Sequence, residues 1–168
     1  MDQIISLLVK AGAVLLAVVA VLAGAYEVFA KNNGSTAAGE QSQIATNIQT
    51  YYNGGMMARN YSNISNSSVI KAALIPKSML SGDGTTINGP WGGSAVTVST
   101  WNNGFQVAWT GVDNDSCATF ARSQAPQAVN INGTDIQMSD SDAATNIANA
   151  CNATNAAGTA SVTFEYAG

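Results

Sequence analysis

Few residues in this chain are equipped to make or break bonds. The 168 residues include no histidine, which removes the usual general base near neutral pH and the commonest metal ligand. Serines are plentiful, but a serine nucleophile needs an activating base, and no ordinary triad forms here. A Ser-Lys pair would have to use Lys71 or Lys77. Lys77 adjoins Ser78, and adjacent residues on a helix do not face each other. Two acidic stretches, Ser81-Gly82-Asp83-Gly84 and Ser139-Asp140-Ser141-Asp142, invite a calcium reading. Neither has EF-hand spacing or a closing Glu. The second reads better as a helix cap with acids at the N-terminus. Trp91, Trp101 and Trp109 could form a carbohydrate platform, but core or subunit contacts are the better reading. Sequons such as Asn33-Gly34-Ser35 and Asn63-Ile64-Ser65 matter only in a host that N-glycosylates exported proteins. No enzyme, metal or cofactor site is expected.

The remaining covalent chemistry lies in Cys117 and Cys151. In an apparently exported chain such a pair reads most simply as one disulfide, the alternative being two free buried thiols. Charged residues make up 10% of the chain, with six Lys and Arg against ten Asp and Glu. The surface is therefore uncharged and polar, and it offers no basic footprint for nucleic acid.

The elements that would position these residues begin with an apolar stretch. From Ile4 to Tyr26 the single charge is Lys10. As a helix this stretch spans about 35 Å, enough to cross a bilayer. A cleaved signal peptide would place positive charge before the apolar core and small residues at a cleavage site, yet the start is acidic, at Asp2, and the helical pattern continues past the apolar run. A plain membrane anchor is a second reading. The third is a helix that sits in a membrane at one stage and packs against copies of itself at another. The small residues Ala11, Gly12, Ala13, Ala17, Ala20, Ala23, Gly24 and Ala25 favour it by permitting close helix approach. Beyond Lys31, Ala38, Ile44, Ala45, Ile48, Tyr51 and Tyr52 recur at spacings of three and four, the apolar face of an amphipathic helix. Gly54-Gly55 ends it. The expectation is one helix over 2–53, loosened near Gly34, with 1–31 as its apolar half and 32–168 as a globular head that includes the amphipathic half.

Within the head, Ser67 or Ser68 is expected to cap a helix over 67–75 that Pro76 interrupts. "SAVTVSTW" and "FQVAWT" alternate with period two around Asn102-Asn103-Gly104, a hairpin signal. Asp113 or Asp115 caps a helix with Cys117, Phe120 and Ala121 on one face. A second hairpin turns at Asn132-Gly133, and a capped helix ends near Cys151. A closing strand puts Val162, Phe164 and Tyr166 on one face. The fold class is α+β, an antiparallel sheet packed on a long helix.

This order resembles a type IV pilin, and most of all the type IVb branch that includes bundle-forming pilins and the pilins of conjugative-plasmid thin pili. "NGPWGG" (88–93) is similar to the proline-aromatic-glycine turn that leads into the sheet of many pilins and secretion pseudopilins. "GVDNDSCATFA" (111–121) resembles the first-cysteine helix of type IVb pilins. "NIANACNATNAAGTASVTFEY" (146–166) resembles their second-cysteine helix and terminal strand. The resemblance implies a Cys117–Cys151 disulfide framing the C-terminal part of the head. It implies the major subunit of an extracellular filament used for adhesion, aggregation or mating contact. Such a chain is cut by a prepilin peptidase, held in the inner membrane, and extracted into a helical homopolymer by a platform protein and an assembly ATPase. The chain as given reads as mature, with Met1 as the methylated N-terminus.

The family's Glu at position five is replaced by Ile5. Asp2 and Lys10, about 12 Å apart along a helix, are the candidate substitute, pairing between staggered copies to set axial register. Pro90, Trp91 and Gly92 are expected to form the turn between stem and head. The alternatives are a minor pilin or secretion pseudopilin, and a membrane-anchored surface-binding module that never polymerises.

Overall fold

The computed structural model describes residues 32–54, 59–153 and 158–168. Met1, Asp2, Lys10 and the apolar half of the stem through Lys31 lie outside the described residues, as does Gly55. Residues 32–53 form one helix, α1. Its buried stripe is Ala37, Gln41, Ile44, Ala45 and Ile48, the three-and-four spacing of a face laid on a core. The Gly54 N–H still donates to Thr50 O, 2.9 Å away. The expected loosening near Gly34 is absent, because 32–35 are fully helical. Gly34 serves proximity instead: a Cβ there would lie 3.3 Å from Ser116 Oγ.

A short helix, α2 (Asn66–Lys71), starts one residue earlier than expected and ends four residues sooner. Its cap is Ser65, not Ser67 or Ser68. Ser65 and Ser68 form a capping box, with the Ser65 N–H donating to Ser68 Oγ at 2.9 Å. The helix stops before Pro76 acts, because Ala73 is left-handed at φ 55°. A 3-10 turn, Lys77–Met79, follows.

Six strands form one antiparallel sheet. They are β1 (Ile87–Asn88), β2 (Ala95–Trp101), β3 (Gly104–Asp113), β4 (Ala128–Ile131), β5 (Thr134–Gln137) and β6 (Thr159–Tyr166), in the spatial order β1-β2-β3-β6-β4-β5. The hairpin signals hold. The first turns at Asn102-Asn103, with Trp101 opposite Gly104. The second turns at Asn132-Gly133, both left-handed at φ 51° and 88°, as a two-residue primed turn requires. Gly104 belongs to β3 itself. A Cβ there would collide with Tyr166 O, so glycine lets the C-terminal backbone close on the strand. The last strand, β6, is therefore central, paired with β3 on one side and β4 on the other. Val162, Phe164 and Tyr166 share its buried face as expected.

Two helices, α3 (Asn114–Ala121) and α4 (Ala143–Asn152), complete the head. Asp113 and Asp142 occupy their cap positions, but neither carboxylate bonds the first turn. Cys117, Phe120 and Ala121 face inward from α3, and Ile147, Ala150 and Cys151 from α4. α1, the inner sheet face and both helices share one continuous apolar core.

Candidate functional site

The fully buried polar side chain that joins stem to head is Gln41, the one polar group in the buried stripe of α1. Its Oε1 accepts from Trp109 Nε1 at 2.6 Å, and its Nε2 donates to Tyr166 Oη at 3.1 Å. All three side chains are buried. The first described element is thus tied to β3 and to the C-terminal strand. Burial pushes the Tyr166 phenol above its ordinary value, and the Gln41 bond partly offsets this. Gln41 is not among the residues that the sequence singled out. A signal was nonetheless present, since a Gln that replaces an apolar residue at the a/d-like spacing of Ala37, Ile44 and Ile48 needs buried partners.

Aromatic rings extend this joint in both directions. Trp109 meets Phe120 edge-on at 5.1 Å, and Phe120 meets Phe164 at 5.1 Å. Trp91 packs edge-on against Trp109 at 6.2 Å and Phe120 at 5.4 Å. At the far end of α1, Tyr52 stacks on Tyr61, Tyr61 on Phe105, and Phe105 on Tyr166. Offset and edge-on ring pairs at these separations each contribute about 0.5–1.5 kcal/mol beyond burial.

The turn 89–94 lies between β1 and β2. The Gly89 N–H donates to Ser94 O, and the Ser94 N–H donates to Trp91 O. Pro90 is half-buried and Gly92 exposed. Gly93, at φ 76°, takes the left-handed position. Trp91 is 3% exposed, and it connects to α1 by way of Trp109 and Gln41. With Trp91 and Trp109 buried and Trp101 half-buried, the three tryptophans form no exposed platform.

Cys117 and Cys151 form a disulfide that links α3 to α4, with Cα atoms 5.8 Å apart. The pairing expected from the sequence is present, and it closes the segment containing β4 and β5.

The polar candidates for chemistry are engaged elsewhere. Ser78 Oγ donates to Glu40 Oε1 at 3.0 Å, so its partner is a carboxylate. Burial raises the Glu40 carboxyl, with the Ser78 bond opposing. Burial also raises Glu165, and the nearby Asp135 adds to the effect. Asp83 accepts from the Thr85 and Thr86 N–H groups at 2.8 and 2.7 Å. Together with the Thr86 hydroxyl these bonds hold its carboxyl far below the ordinary range, so its oxygens are committed to their own loop. Among the described residues no three His, Cys, Asp or Glu side chains are grouped to hold a metal. The arrangement is built to hold a long helix rigidly against a sheet.

Of the open clefts, one borders the stem helix. It has a volume of about 480 Å³ and lies between α1 and α3, lined by Gly34, Ser35 and Ala38 on one wall and Asp115, Ser116 and Thr119 on the other. Among the described residues no helix is long and apolar enough to cross a membrane.

The family model described as Bundlin matches residues 29–167. No curated protein matches. Among solved structures, the chain is similar to the type IVb pilin from Salmonella typhi, with a TM-score of 0.61 and 23% identity over 80% of this chain and 99% of that one. That likeness shows the fold, a helix on an antiparallel sheet with a late disulfide. With the match reaching from α1 through β6, the chain belongs to the Bundlin family and is a type IVb pilin.

Proposed function

We propose that this pilin is the major subunit of a type IVb-like pilus and serves adhesion, aggregation or conjugative mating contact. The observation that carries this reading is the locking of α1 into the head, taken with the apolar sequence ahead of it. α1 is locked into the head through Gln41, and the sequence ahead of it runs through the apolar stretch Ile4–Tyr26 with one charge. A helix fixed at one end and apolar at the other suits storage in the inner membrane, then burial among identical stems in a filament. A prepilin peptidase, a platform protein and an assembly ATPase act in that transfer, and Met1 is the methylated N-terminus. Asp2 and Lys10 set axial register, because a charge in an apolar bundle needs a partner. Pro90, Trp91 and Gly92 hold the edge of the sheet over the ring cluster that receives the stem.

Fibres sheared from cells and examined by electron microscopy and mass spectrometry test this. The expected result is a fibre made overwhelmingly of this chain, beginning at N-methylated Met1. A trace amount in fibres built from another pilin would make it a minor subunit. Retention of all copies in the inner membrane would make it an anchored module.

A further inference from the structure

We propose that the cleft between α1 and α3 seats the apolar N-terminal stretch of a second copy of this chain, with that copy's Lys10 paired to Asp115. The inference rests on the pilus reading and assigns the head surface that the neighbouring stem touches.

Three observations converge on this occupant. The walls are unusually low. Gly34 has no side chain, Ala38 and Ser35 are small, and Ser116 and Thr119 face them from α3. Small residues on two adjoining helices leave room for a third helix at close range, where dispersion contacts accumulate without any bulky knob. The apolar chain is also at hand in a filament, since every copy carries the stretch Ile4–Tyr26 with its single charge. It is the one stretch of this protein that must be covered on leaving a membrane.

The third observation is charge. Asp115, exposed in the first turn of α3, is the one charged residue in the cleft lining. Lys10 is the one charge between Ile4 and Tyr26. A lone ammonium in an apolar stem is stabilised by a carboxylate at the edge of its seat. An anionic lipid headgroup would instead meet Asp115 with like charge. Lys10 has three donors, so Asp115 of one neighbour and Asp2 of another can share it.

The pairing has a geometric consequence. Gly34 and Ala38 lie 24 to 28 residues beyond Lys10. For straight, parallel stems the two copies are then displaced by about 36–42 Å along the axis at 1.5 Å per residue.

The test uses the full chain in cells that make fibres. p-Benzoylphenylalanine at Thr119 should cross-link on irradiation to a peptide between Ile4 and Leu16 of a second copy. A cross-link confined to its own chain or to another head would overturn the seat. Asp115→Lys should lower fibre yield about tenfold, and adding Lys10→Glu should restore it. The milder Asp115→Asn should give an intermediate yield. No recovery in the double variant, with the Cys117–Cys151 bond formed and the head protease-resistant, would overturn the pairing while fibres of the natural chain keep the pilus reading intact. A natural chain that is exported and never forms fibres removes that reading and this inference together.

Discussion

Gln41→Leu isolates the joint between stem and head. The substitution keeps the helix and roughly the volume of the side chain but removes both of its hydrogen bonds. Trp109 Nε1 loses its acceptor at 2.6 Å, and Tyr166 Oη loses its donor at 3.1 Å. Each buried polar atom left without a partner costs about 1–3 kcal/mol. The added apolar surface of Leu returns about 1 kcal/mol. The net loss should be about 1–5 kcal/mol, or roughly 3–17 °C in melting temperature for a head of this size. Urea titration of residues 32–168, followed by tryptophan fluorescence, reads it directly. Gln41→Leu combined with Trp109→Phe removes donor and acceptor together. The pair should show a coupling of about 1–2 kcal/mol, because the second change no longer strands a partner. A loss under about 0.5 kcal/mol with no coupling would mean that Gln41 is incidental and that the stem is fixed by its other contacts with the head.

Three further perturbations probe the rest of the head. Cys117→Ser with Cys151→Ser opens a loop of sequence separation 34 and should cost about 4 kcal/mol, seen as a lower urea midpoint and faster proteolysis between β4 and α4. Trp91→Ala removes a ring that is 3% exposed and should cost about 3–5 kcal/mol; an unchanged melting temperature would show that the cluster of Trp109 and Phe120 closes without it. The carboxyls of Glu40 and Glu165 are raised by burial, so their contribution is fully present below the unfolded value near 4.5 and is lost as pH rises through the folded values. Asp83 is lowered, so its contribution is lost as pH falls below about 3.8. The head should therefore be more resistant to urea at pH 4.5 than at pH 7.5, and Glu40→Gln with Glu165→Gln should flatten that difference.

Periodicity and turn chemistry make much of this fold legible in the residues alone. Val162, Phe164 and Tyr166 alternate as a half-buried strand must, and Asn132-Gly133 marks the β4–β5 hairpin because both residues tolerate a left-handed backbone. The helix expected over 67–75 was misplaced for a local reason. Several serines compete as caps in "SNISNSSV", and the capping box selects Ser65 because only that choice puts Ser68 at N3. What resisted reading was long-range. That β6 lies between β3 and β4 depends on pairings such as Phe105 with Tyr166, which no local pattern encodes. Gln41 belongs to the same class, since its partners lie 68 and 125 residues away. The turn at 89–94 was recognisable as a turn, but the ring cluster beneath Trp91 exists only once β3, α3 and β6 have converged.

The same long-range joints bear on how a pilin carries load. Tension on a filament reaches the head through α1. Gln41 passes it to β3 and β6, the two central strands, which are paired along most of their length. Strands β4 and β5 lie beyond β6 and form one edge of the sheet. The Cys117–Cys151 bond closes the segment that contains them, and a cross-linked segment has fewer unfolded states to gain by detaching. The head is thus held most firmly where the stem pulls, through directional hydrogen bonds and stacked rings, and it is covalently closed at the β4–β5 edge. Reducing the disulfide should therefore release β4, β5 and α4 to hydrogen exchange while α1, β3 and β6 stay protected. Simultaneous exchange of all six elements would show that the joint at Gln41 depends on the disulfide and has no independent strength.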